Sequence, residues 1–542
     1  MLFHSSEFLI GFLPAVFLVY LLLAYFHCDR PVLIWLTLAS FVFYGWGSPQ
    51  WIPLIVASIL GNFFLGRAIC PSCNFFQGRF RYPVFILGIC ANLFALGYFK
   101  YSHFLVENLN HLLSTDWPLE NTVLPLALSF FTFTQIAYLV DTLRGETKQY
   151  ALTEYCFFVT FFPHLIAGPI VQHKEIMPQV EQEGVFRLRW ENIQVGVGIF
   201  AVGLFKKLVL GDGSAEYVGP FFHAGATGSW VSTPEAWIGI LAYTFQIYFD
   251  FSGYSDMAIG LSRLFGIRLP LNFNSPYRST NIIEFWRRWH ISLSRFLRNY
   301  LYIPLGGNRR GTTSQYRNLM TTMILGGLWH GAGWTFAVWG LLHGLYLVLN
   351  HGFRAFVKKF RLTNYVENPI GSALGWALTM LAVMAGWVFF RSPDLATSER
   401  LFAMLAGSVP PSVQTVTGLY AEMKPALWMT AMALVILVMP NTQDCFANHR
   451  PALDAAAPRE PRGPLFPCLW CGRPPFFMVW PSALCSSSAF SACADGLRAS
   501  SSTSTSDGEA PSILLWNFRG AGPRCRAVDA SLLPDLGLPR RR

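Results

Sequence analysis

Charge is scarce in this chain. Asp, Glu, Lys and Arg make up 13% of its 542 residues, against about 25% in soluble globular domains. Hydrophobic residues make up 53%, with 18 Trp and 48 Phe among them. Too little polar surface is left to cover a soluble globule, so a soluble enzyme and a disordered chain are excluded. Cysteine is thin as well, at 11 residues, which excludes a disulfide scaffold. Several enzyme signatures are missing: there is no GxSxG, no Walker A, no GxGxxG, no HExxH and no i,i+4 histidine pair. Hydrolase-elbow, phosphate-loop, Rossmann and zinc-protease chemistry therefore have no support, and no metal site is expected. Met1–Phe8 holds no Lys or Arg. The first apolar segment therefore reads as a retained span and not as a signal peptide.

What is present is a series of apolar segments, from Phe8–Phe26 to Ala426–Met439. A bilayer core needs roughly 20 helical residues, and this predicts about ten spans with re-entrant pieces between them. The fold class expected is an all-α polytopic membrane protein. Early loops alternate between basic (Arg67, Arg79, Arg81) and acidic (Glu107, Asp116, Glu120). The excess of Lys and Arg on cytoplasmic loops then places the N-terminus outside the cytoplasm.

The net charge is +10, and it is concentrated. Arg263 to Arg317 holds ten arginines and one acid, Glu284. Such a block belongs at the cytoplasmic face, near anionic headgroups, and not on nucleic acid. Within it, Glu284 to Leu301 reads as one amphipathic helix. Phe285, Trp289, Leu293, Phe296 and Tyr300 share one side, within roughly 80° at 3.6 residues per turn. Arg287, Arg288, Arg295 and Arg298 lie opposite, and His290 lies at the border. Asn281, with Glu284 three residues on, resembles a capping box. The block is either an interfacial helix without chemistry or a holder of an anionic ligand such as a coenzyme phosphate.

Ionisable residues at membrane depth are costly and mark functional sites. His330 stands out, among four glycines in Gly326-Gly-Leu-Trp-His-Gly-Ala-Gly-Trp334. Neutral imidazole suits a general base near pH 7; the alternative is a histidine bonded between helices for packing. His343 and His164 read as packing or pore-lining residues. Asp250 and Asp256, in Tyr248-Phe-Asp-Phe-Ser-Gly-Tyr-Ser-Asp256, are expected to pair with arginines of the basic block.

Together these segments resemble the membrane-bound O-acyltransferase (MBOAT) family, and within it the bacterial alginate O-acetylase branch. The similar motifs are Leu128-Ser-Phe-Phe-Thr-Phe133, Phe161-Phe-Pro-His-Leu-Ile-Ala-Gly-Pro-Ile170, Phe249-Asp-Phe-Ser-Gly-Tyr-Ser-Asp256 and Asn272-Phe-Asn-Ser-Pro276. With them go Phe285-Trp-Arg-Arg-Trp-His-Ile-Ser-Leu-Ser294, Tyr302-Ile-Pro-Leu-Gly-Gly-Asn-Arg309 and Leu328-Trp-His-Gly331.

The resemblance implies a ring of helices around a tunnel, with re-entrant and amphipathic cytoplasmic helices, in residues 1–440. It implies two catalytic histidines, which match His330 and His290. Arg287, Arg288, Asn308, Arg309, Trp329 and Asp250 are candidate donor- or substrate-binding residues. The implied reaction moves an acetyl group from a cytoplasmic donor across a bacterial inner membrane, for O-acetylation of an exported polysaccharide. Acetyl-CoA or another acetyl donor enters as cosubstrate, and no bound cofactor is expected. Membrane lipid, a polysaccharide acceptor and periplasmic acetylation proteins are the implied partners. D-alanyl transfer to teichoic-acid-type polymers, or a non-enzymatic polymer or lipid transporter, are the alternatives. The Pro304-Leu-Gly-Gly-Asn-Arg309 stretch favours the acetylase branch.

Residues 441–542 change character. They hold eleven Arg and no Lys, twelve Pro, six Cys and a Ser/Thr run at Ser500–Ser506. The family continues instead with another apolar helix and a short aromatic ending. A reading-frame shift near codon 440 or a disordered extension accounts for such text, and resequencing the 3′ end separates them. Cys468-Leu-Trp-Cys471 is a single CxxC, too little for a zinc or redox site.

Overall fold

The computed structural model of the chain describes residues 1–71, 80–118, 122–362, 366, 368–408 and 423–453. These all belong to the unit Met1–Pro475. Cys468, Cys471, Ser500–Ser506 and most of the expected tail lie outside the described residues.

Every regular element among the described residues is helical. The order begins with α1 (Leu13–Tyr25), α2 (Asp29–Gly45), α3 (Ile52–Ile69), α4 (Arg81–Leu113) and α5 (Leu128–Leu143). Short helices α6 (Leu152–Thr160), α7 (Phe162–Leu165) and α8 (His173–Val180) lead to α9 (Trp190–Phe205). Then follow α10 (Asp212–Ala215), α11 (Gly219–Thr227) and the long α12 (Thr233–Leu264). The basic block supplies α13 (Ile282–Arg288) and α14 (Ile291–Leu297), and the pair α15 (Thr312–His330) and α16 (Trp334–Lys359) comes next. The described chain closes with α17 (Pro369–Arg391), α18 (Leu395–Leu405), α19 (Lys424–Val438) and α20 (Thr442–Cys445).

Among the described residues, five helical stretches are long and apolar enough to cross a membrane: Glu7–Tyr25, Pro49–Ile69, Arg81–Leu113, Trp190–Ala215 and Pro369–Arg391. About ten were expected from hydropathy, on a requirement of roughly 20 residues each. Helices α2, α5 and α19 have 17, 16 and 15 residues, short of that requirement. Helix α12 is long enough at 32 residues, but it carries Glu235, Asp250, Asp256 and Arg263, and most of its residues are buried. A helix screened by its neighbours needs no lipid-compatible surface.

Helix α12 is buried because α9 lies directly against it. A Cβ on Gly203 would come 2.7 Å from the Gly253 oxygen, and one on Gly196 would come 2.8 Å from the Gly260 oxygen. Two glycine pairs, seven residues apart on each helix, let the backbones touch. The pair α15 and α16 meets in the same way, where a Cβ on Gly327 would collide with the Phe336 oxygen.

Packing continues beyond residue 440. Thr442 and Gln443 are buried, and the Asn441 amide donates to the Phe273 carbonyl at 3.2 Å. The Leu453 amide N–H donates to the Leu269 carbonyl at 3.1 Å. Residues 441–453 therefore brace the 269–273 segment from outside.

Candidate active site

The sequence pattern predicts one helix over Glu284–Leu301, but the structure has two. They break at His290, whose φ of 43° is left-handed. That conformation costs a non-glycine residue about 1–3 kcal/mol. The break is held by an extended segment from before the helices. Asn274 N–H donates to the Arg288 carbonyl, and Ile291 N–H donates to the Asn272 carbonyl, both at 2.9 Å. Other features of the pattern hold. Asn281 caps α13 by accepting from Glu284 N–H at 3.0 Å. Glu284 Oε2 in turn accepts from Thr280 N–H at 3.1 Å. Phe285, Trp289, Leu293 and Phe296 are buried, while Arg287 and Arg298 are exposed.

The break turns His290 inwards, where it is 1% exposed. Its Nδ1 lies 3.1 Å from Asn272 Oδ1. The same oxygen accepts from Ser292 Oγ at 2.8 Å, while Asn272 Nδ2 donates to Ser255 Oγ at 3.1 Å. Those bonds fix the amide's orientation. A carbonyl oxygen only accepts, so the proton sits on Nδ1 and Nε2 carries a lone pair. Among the described residues, Nε2 is buried without a hydrogen-bond partner. Burial pushes the imidazole well below its ordinary pKa, which keeps it neutral at pH 7.

His330 ends α15. Its ring meets three aromatic rings: Trp329 at 4.9 Å between centroids, Phe390 at 5.1 Å and Trp339 at 5.2 Å. Trp329 stands between the two histidines, 6.5 Å from His290. It is fixed by stacking on Phe133 at 5.0 Å, which stacks on Phe296 at 4.1 Å. Its Nε1 is also buried without a partner. His343 belongs to the adjoining ring cluster. Its Nδ1 accepts from Trp286 Nε1 at 3.3 Å, and its ring lies 4.7 Å from Trp339.

The sequence candidates therefore divide. His290, Trp329 and His330 come together. Arg287 and Arg288 lie just before His290; Arg287 is exposed, and Arg288 pairs with Glu284 at 2.7 Å. Asn308 and Arg309 are exposed in the turn before α15. Asp250 pairs with Lys207 at 2.8 Å.

The expected pairing of Asp250 and Asp256 with the arginine block is corrected. Their partners are Lys207 and Lys206, the latter at 2.7 Å from Asp256. Both lysines stand in a π-helical turn, Lys206–Gly211, directly after α9, on the helix that touches α12. Of the block's arginines, Arg263 stands on α12 itself, where it lies 3.9 Å from Glu191.

Asn272 and Ser292 were missed as site residues, although both stand in quoted motifs. Their role depends on a fold-back of eighteen positions. Lys100 was missed too. Its Nζ donates to the Trp329 carbonyl, 229 positions away in sequence.

Comparison with known proteins follows from this geometry. A model described as the membrane-bound O-acyltransferase family matches residues 85–390, a range that contains both histidines. The chain is similar to the peptidoglycan O-acetyltransferase of Helicobacter pylori, at 41% identity over 434 residues, covering 75% of this chain and 80% of that one. It is 40% identical over 410 residues to the probable alginate O-acetylase of Pseudomonas aeruginosa, covering 74% of each. A teichoic acid D-alanyltransferase of Streptococcus thermophilus is 30% identical over 283 residues, covering 49% of this chain and 68% of that one.

Proposed function

The chain belongs to the membrane-bound O-acyltransferase family and is a multi-pass membrane acyltransferase, and from that premise we propose that it O-acetylates an exported polysaccharide. The observation that carries the chemistry is the bare, buried Nε2 of His290, one indole away from His330. A sugar hydroxyl is a weak nucleophile and needs a base to remove its proton, whereas a thioester donor leaves readily. His330 takes that proton or relays the acyl group. His290, with its tautomer set by Asn272, supports it or orients the donor. The acetyl assignment is supported by the two O-acetylases, each similar over about three quarters of this chain. The D-alanyl relative is similar over 49% of it.

In this reading the donor, acetyl-CoA or an equivalent, arrives from the cytoplasm. The exposed Arg287, three residues before His290, is a cation of the kind that attracts an anionic coenzyme. The chain sits in a bacterial inner membrane, and periplasmic proteins complete delivery to the polymer.

The test is complementation. The chain is expressed in a Pseudomonas aeruginosa strain lacking its alginate O-acetylase and in a Helicobacter pylori strain lacking its peptidoglycan O-acetyltransferase. Ester-linked acetate is then measured on each polymer. Restoration of acetate on one polymer is expected and names the acceptor. Ester-linked D-alanine on a teichoic-acid host, with no acetate on either polymer, overturns the reading.

Asn272→Ala leaves His290 Nδ1 and Ser292 Oγ without their shared acceptor. The imidazole then loses its fixed tautomer. A drop of about 10²-fold in acetyl transfer is expected, with the protein still extracted as a monodisperse species. Asn272→Asp keeps an acceptor and is expected to retain more activity than the alanine variant. Equal activities in the two variants count against the tautomer argument.

A further inference from the structure

Lys100 reaches the histidine pair from α4. Its Nζ donates to the carbonyl oxygen of Trp329, the peptide that leads into His330. It also lies 5.5 Å from the centroid of the Trp329 ring. The neighbouring Tyr101 donates its hydroxyl to the Leu328 carbonyl at 2.8 Å. The ammonium also faces the Tyr101 ring, 5.9 Å away, and among the described residues no carboxylate pairs with it.

These two side chains also cap the last carbonyls of α15. Capping accounts fully for Tyr101. It needs a donor but no charge, and a cation half-buried at membrane depth without a counter-ion is costly. An ammonium has three donors, and the Trp329 carbonyl takes one. Two other unpartnered polar atoms border the same indole: Trp329 Nε1, a donor, and His290 Nε2, an acceptor. A base beside two free donors is the combination that acyl transfer requires.

We propose that Lys100 is a catalytic cation that stabilises the oxyanion of the acyl-transfer intermediate, with Trp329 Nε1–H as the second donor. This rests on the acetyl-transfer reading. The acceptor oxygen bonds to the thioester carbonyl carbon while its proton passes to a site imidazole. The carbonyl π pair moves onto oxygen, which becomes the oxyanion beside Lys100 Nζ. Re-forming the double bond breaks the C–S bond, and the thiolate takes the proton back from the imidazolium.

The test uses the full chain in proteoliposomes with acetyl-CoA and soluble oligomers of the polymer that the wild type acetylates, following release of the free thiol. Lys100→Gln keeps a donor for the Trp329 carbonyl but removes the charge. Its kcat is expected to fall about 10²-fold with KM little changed. Lys100→Arg is expected to recover most of the rate, and Tyr101→Phe to stay near wild type. Chloroacetyl-CoA carries a more electrophilic carbonyl that needs less help, so the Gln deficit is expected to shrink about tenfold or more.

A Gln variant as fast as wild type overturns the assignment to Lys100 alone. So does an equal deficit with both donors, which marks a positioning role. If Lys100→Gln does not fold, Lys100→Arg is assayed with both acyl-CoAs, where a rate near wild type with each supports the charge and a loss of about 10²-fold with each overturns it. A wild-type chain that releases no thiol from acetyl-CoA overturns the acetyl-transfer reading, and this proposal with it.

Discussion

Replacing His330 with alanine is expected to lower acetyl transfer by about 10³-fold while leaving the fold intact. The two effects separate because of how the residue is held. Among the described residues its ring touches Trp329, Trp339 and Phe390 and makes no hydrogen bond. Its loss leaves no buried polar atom stranded. What disappears is a set of ring contacts, each of order 0.5–1.5 kcal/mol. An imidazole placed among rings contributes little to packing that a phenyl could not, which leaves proton transfer as its distinguishing property. The measurement is ester acetate on the polymer, set against the amount and thermal midpoint of purified protein. Undiminished acetylation in a folded variant ends the catalytic assignment.

The largest effect on stability is expected at Asp256. Its carboxylate accepts from Lys206 Nζ at 2.7 Å, from Thr442 Oγ1 at 2.7 Å and from Gln443 Nε2 at 3.1 Å. The side chains of Lys206 and Asp256 are 11% and 8% exposed. Asp256→Ala strands a buried ammonium and releases the 441–445 segment that braces the Asn272 region. A loss of about 3–5 kcal/mol is expected, the usual result of removing one partner from a buried ion pair. The double variant Lys206→Met with Asp256→Leu removes both charges and is expected to recover most of that loss. Thermal unfolding in detergent reads both variants. A single variant as stable as wild type shows that the pair is not a structural anchor.

Parts of the site were legible in the chain itself. His330 stood out because an ionisable residue in apolar text has a cost that must be met, and His290 was marked by the resemblance of its motif. Asn281 and Glu284 were readable as a helix start because capping is a three-residue relation. The apolar side of 285–296 is buried as its spacing implies, even though the helix breaks within it. The break itself was not legible. Nothing local to His290 forbids a helix, and the backbone bonds that hold its left-handed turn come from Asn272 and Asn274. The partners of Asp250 and Asp256 were misread for a related reason. Ten arginines made an obvious supply of charge, but the lysines at the end of α9 lie where the glycine contacts bring that helix against α12.

By itself, the sequence determined that this is a helical membrane protein of the acyltransferase kind, because composition, apolar run length and short ordered motifs are properties of neighbouring residues. The tertiary structure decided which of the candidates meet. It assembled His290, Trp329 and His330, left Asn308 and Arg309 on the surface, turned Asp250 towards Lys207, and brought in Asn272 and Lys100. Those outcomes depend on hydrogen bonds and close backbone contacts between distant segments, whose energies exist only once the chain has folded back on itself.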